Sequence, residues 1–145
     1  MPTIGIDCEI ILDGTGYFVK PGSYQLQQPR IRKAMVRADG SESYVDLGPG
    51  KRFWSMVILC FNELTRYDGT ATGLTGQQYR DALRASYLGS TGGTILFSDP
   101  LNTSIAVHFD AYRERLLDLH SQIIALVAGQ ALAASYEVTL DLLEA

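Results

Sequence analysis

Lys51-Arg52-Phe53-Trp54-Ser55-Met56-Val57-Ile58-Leu59-Cys60-Phe61-Asn62-Glu63-Leu64 is the stretch that decides the fold. Period two divides it into one face of Phe53, Val57, Leu59 and Phe61 and another of Trp54, Met56, Ile58 and Cys60. A strand apolar on both sides must be covered on both sides, so it marks the centre of a β domain. Upstream, Gly48-Pro49-Gly50 turns the chain into it. Before that turn, Ile31–Ala38 and Tyr44–Leu47 flank Asp39-Gly40-Ser41-Glu42, a hairpin signal because glycine tolerates positive φ. Further out, Ile4, Ile6, Cys8, Ile10 and Leu12 alternate with mostly polar residues and predict a half-buried strand ended by Asp13-Gly14. Phe18–Pro29 is polar and bounded by prolines, which predicts a loop or projecting arm at 18–29.

Downstream comes the clearest helix. Thr75 and Gln78 have capping-box spacing, Leu74 and Tyr79 stand at hydrophobic-staple positions, and Tyr79, Leu83 and Tyr87 recur every four residues. Gly89 is placed to end the helix in the left-handed conformation. Gly93–Ser98 and Ser104–Asp110 predict a second hairpin, and Ser135–Leu142 a closing strand. The stretch 112–130 reads equally as a second helix or as the continuation of the strand at 104–110. The expected core includes Phe53, Trp54, Val57, Ile58, Tyr79 and Leu83. The expected fold is mainly β: an antiparallel β-sandwich or partly open barrel, about seven strands, with one flanking α-helix. No linker or repeat divides the 145 residues, so 1–145 is read as a single domain.

Composition narrows function. Twelve bases against sixteen acids, with a pI near 5.0, is the reverse of a protein whose main partner is a nucleic-acid backbone. Arg30, Arg32, Lys33 and Arg37 nevertheless cluster, and they are candidate contacts to acids on a neighbouring subunit. No basic-then-apolar leader stands at the start, and the longest apolar-rich stretch is too short to span a bilayer. That predicts no membrane partner and synthesis in the cytoplasm. Cys8 and Cys60 are expected as buried reduced thiols.

The residues do not assemble into recognisable chemistry. His108 and His120 have no metal-ligand companions at motif spacing. Gly48-Pro49-Gly50-Lys51 lacks the length, the hydroxyl residue and the following helix of a phosphate loop. Asp13-Gly14-Thr15-Gly16 and Asp68-Gly69-Thr70 lack the alternating acids of a calcium loop. Asp110, Glu114 and Asp118 would share a helix face, beside Arg113 and Arg115. No enzyme and no cofactor or metal are expected.

The order of features resembles the tail-tube and distal-tail (baseplate hub) proteins of long-tailed bacteriophages. The resemblance rests on Arg37-Ala38-Asp39-Gly40, Leu47 to Trp54, the Gly76–Tyr87 helix, Ile95 to Pro100, and Tyr136 to Glu144. It covers most of the chain after residue 30 and implies a structural virion subunit in a ring, commonly hexameric. Its implied partners are copies of itself and other tail proteins, with DNA passing through the ring unrecognised. A small-molecule or carbohydrate-binding β-sandwich, with Trp54 and several tyrosines as stacking surfaces, is the alternative.

Overall fold

The computed structural model describes residues 2–62, 64–117, 119, 123 and 135–145. It contains nine strands and one helix among those residues: β1 Ile10–Leu12, β2 Thr15–Val19, β3 Gln25–Gln27, β4 Arg30–Val36, β5 Glu42–Pro49, β6 Phe53–Cys60, α1 Gly76–Gly89, β7 Ile95–Ser98, β8 Ile105–Leu116 and β9 Tyr136–Glu144. Six antiparallel strands run β2-β1-β7-β8-β9-β6, and β2 pairs again with β6 through Phe18–Leu59 and Val19–Ile58. The sheet is therefore a closed barrel, which removes the free edges of an open sheet. The expected mainly β fold with one helix holds.

β6 is central, paired along its length with β9 and on its other edge with β2 and β3. Its inward face, Trp54, Met56, Ile58 and Cys60, is fully buried with Leu12, Tyr17, Phe97, Val107, Val138, Leu140 and Leu142. The Trp54 and Phe97 rings meet edge-on, centroids 5.4 Å apart. The outward face is not buried to the same degree. Phe53 and Val57, expected in the core, are half-buried, because a closed barrel has one interior and these side chains point away from it.

α1 supplies Tyr79 and Leu83 to the core. It packs over β6, β9 and β8. On β8 its Arg80 and Tyr87 reach Glu114, Phe109 and Tyr112, beyond the Ile105–Val107 stretch that pairs with β7. Thr75 caps it as expected: its hydroxyl accepts from Gln78 N at 3.2 Å, and Gln78 Oε1 accepts from Thr75 N at 2.9 Å. Gly89 does not take the left-handed conformation. The helix ends instead on Ser90 at φ −93°, whose N–H donates to Tyr87 O.

Three expected elements differ. The strand expected over residues 4–12 is a strand only at Ile10–Leu12. Gly5, at φ +91°, folds the earlier residues into turns held by Ile6 N and Asp7 N on Thr3 O. The segment 18–29 is not a projecting arm. Phe18 and Val19 are buried in β2, and Gln25–Gln27 pairs with Phe53–Ser55 as β3. An edge strand can take its backbone partners from β6 while remaining polar and exposed, which is why its composition reads as loop. Of the stretch 112–130, Tyr112–Leu116 is the continuation of β8, paired with Tyr136–Leu140 of β9. The rest of that range lies outside the described residues, apart from Leu117, Leu119 and Ile123.

Candidate functional site

β4 and β5 pair with each other and with no other described strand. The turn between them is built on Asp39-Gly40: Gly40 N donates to Arg37 O, Arg37 N to Ser41 O, and Gly40 sits at φ +84°. Asp39 Oδ1 accepts from both the N–H and the hydroxyl of Ser41, which holds its carboxyl below the usual range. A register shift between Ile31 and Arg32 adds a bulge and twists the ribbon. A two-stranded ribbon alone cannot bury either face. Ile31, Met35, Val36, Tyr44, Val45 and Leu47 are all exposed, Val36 at 75%.

The four candidate contact residues all lie on this hairpin and all are exposed. Arg30 is already engaged within the chain, its Nε 2.5 Å from Asp46 Oδ2. Arg32 stands opposite Asp46 in the ladder, Lys33 opposite Val45, and Arg37 opens the turn. Arg32, Lys33 and Arg37 form no ion pair among the described residues.

The segments that precede and follow the hairpin are both tied to one turn, Asp99–Asn102. Tyr24, just before β3, donates its hydroxyl to Asp99. After the hairpin, Arg52 Nη1 donates to Asn102 Oδ1 at 3.1 Å, while its Nε and Nη2 grip Glu144 Oε2 at 3.1 and 2.7 Å. The Arg52 guanidinium also lies 5.1 Å from the centre of the Trp54 ring. Asp99 is itself buried and accepts from Leu101 N, Asn102 N and Asn102 Nδ2. Trp54, Asp99 and Glu144, which belong to three separate motifs of the sequence, are thereby joined through Arg52 and its partners.

Beside this network lie two hollows that share Glu9, Asp99 and Pro100. One, of about 360 Å³, extends over Val19, Pro21, Tyr24 and Leu101; the other, about 470 Å³, over Ile4, Tyr67 and Thr103. Leu101 is 87% exposed and Tyr67 63%, so the rim is apolar as well as the floor. Sequence reasoning missed this cleft because its walls come from residues as far apart as Ile4 and Thr103.

The other candidates that fall on described residues have structural contacts. Glu114 is on β8, not on a helix, and forms a two-fold contact with Arg80 of α1. Asp118 and His120 lie outside the described residues. His108 Nδ1 is 3.1 Å from Gly93 O. Asp68 accepts from Thr70 N and Thr70 Oγ1 as a turn residue. Cys8 and Cys60 are free and buried, and burial pushes their thiols up to about 11 and about 12. Among the described residues no cluster of His, Cys, Asp or Glu has metal-binding geometry, and no helix is long and apolar enough to cross a membrane. Trp54 has no exposed surface, so it cannot be a stacking platform for a sugar ring.

No family model and no curated protein matches this chain.

Proposed function

We propose that the protein is a structural subunit of a bacteriophage tail, at the tube, distal-tail or baseplate-hub position, which assembles into a ring with copies of itself. The observation that carries the reading is the β4–β5 hairpin: six apolar side chains exposed on a ribbon that leaves the barrel. Apolar residues in such a density on an isolated ribbon favour a partner surface. Arg32, Lys33 and Arg37 on the same ribbon would add charge contacts to that partner, at rim strength. Neighbouring tail proteins would stack on the ring, and DNA would pass through it without specific recognition.

The test is assembly. Gly50 N donates to Pro29 O at 2.6 Å, so the two ends of the hairpin already meet. Replacing residues 30–49 by a short Gly-Ser link leaves the barrel ladder intact. Full-length protein is expected to give rings or tubes in negative stain and a multiple of the monomer mass in sedimentation. The shortened protein is expected to be a folded monomer with unchanged β circular dichroism. A full-length chain that stays monomeric at high concentration would sink the assembly reading.

A further inference from the structure

Among the described residues, an exposed apolar ribbon and an apolar hollow carry unpaired charges of opposite sign. The ribbon is the hairpin, where exposed Val36 and Tyr44 share a face with Arg32, and exposed Met35 and Val45 share the other with Lys33. The hollow is the double one around Glu9, Asp99 and Pro100, rimmed by Leu101 and Tyr67; its one lysine, Lys20, is already paired with Glu137 at 3.3 Å. Glu9 makes no ion pair among the described residues, nor do Arg32, Lys33 and Arg37. The hairpin does not fold back to cover its own cleft, since its apolar residues and the rim residue Leu101 all remain exposed.

We infer that the hairpin of one copy seats in the Glu9–Asp99–Pro100 cleft of a second copy, apolar residues against Pro100 and Leu101 and bases toward Glu9. This rests on the assembly reading and specifies which two surfaces meet. A contact between two different surfaces of the same chain is heterologous. It therefore propagates head to tail and closes a ring when the rotation between copies allows. A hairpin-to-hairpin contact would instead be two-fold and stop at a dimer. The root network bears on the same cleft: Asp99 is one of its walls and also holds Tyr24 on the segment that leads to the hairpin.

Two single-cysteine variants test it, Val36→Cys and Leu101→Cys, each with a different tag and mixed under a mild oxidant. The native thiols are buried and do not compete. The inference expects a cross-linked product containing one of each variant, absent from either variant alone. A product of Val36→Cys with itself would overturn the cleft as the seat while leaving assembly standing. Oligomers in sedimentation without any cross-link would do the same. A monomer without any cross-link would overturn both this inference and the assembly reading.

Discussion

Arg80 of α1 and Glu114 of β8 face each other in a two-fold contact, Nε to Oε2 at 2.6 Å and Nη2 to Oε1 at 2.8 Å. Tyr112 donates to the same carboxylate at 2.9 Å, and Tyr87, two turns along the helix from Arg80, stacks on the Tyr112 ring at 5.3 Å. The pair is the polar half of the seam that fastens the helix to the barrel.

Its consequence is a pH dependence. The bonds from Arg80 first, and then that from Tyr112, hold the Glu114 carboxyl below its ordinary range, and Arg52 does the same to Glu144. A depressed carboxyl contributes stability that is present above its unfolded pKa, about 4.3, and lost as pH falls through the folded value. Glu114→Gln should cost about 1.5–3 kcal/mol at neutral pH, the range for hydrogen bonds to charged groups. It should also flatten the loss of stability below about pH 5. Urea unfolding between neutral and acid pH checks both; an unchanged acid slope would refute the assignment.

Trp54→Ala should destabilise by about 3–5 kcal/mol, as for other buried aromatics. Half-buried Phe53, one residue away and facing outward, should lose clearly less on the same change. Equal losses for the two would show that the outward face of β6 is packed as tightly as the inward one.

Thr75→Ala removes one half of the capping box and should cost about 1 kcal/mol. Sedimentation should be unaffected, since the cap faces Gln78 and not the hairpin or the cleft. Loss of assembly at unchanged stability would place the helix start at an interface.

Both thiols should resist a disulfide reagent at mildly alkaline pH in the native protein and react on denaturation. The thiolate is the reactive form, and burial raises both groups far above that pH. Rapid native labelling of either one would mean that the barrel opens locally there.

Much of the interior was legible because it depends on local spacing. The two-residue period placed Trp54 and Ile58 inside, the four-residue period placed Tyr79 and Leu83 on the buried stripe, and Asp39-Gly40 placed the hairpin turn. What period alone could not give is curvature. An open two-layer arrangement covers both faces of a central strand, whereas closure of β2 onto β6 leaves Phe53 and Val57 outside. Gln25–Gln27 was illegible as a strand because β6 supplies its partners. The candidate site divided in the same way: the basic residues of the hairpin stood together in sequence, while Glu9, Tyr24 and Asp99 meet only once the barrel has closed.

The meeting of Pro29 O and Gly50 N at the hairpin root makes the hairpin an insertion, topologically a side branch of the barrel. Lengthening such a branch is thermodynamically mild, since each doubling of a flexible loop costs only about 0.6 kcal/mol in closure entropy. Its residues are therefore free to vary under pressures that the interior never feels. A scaffold of this kind can change what it grips by rewriting one ribbon, and two descendants with the same barrel need not recognise each other.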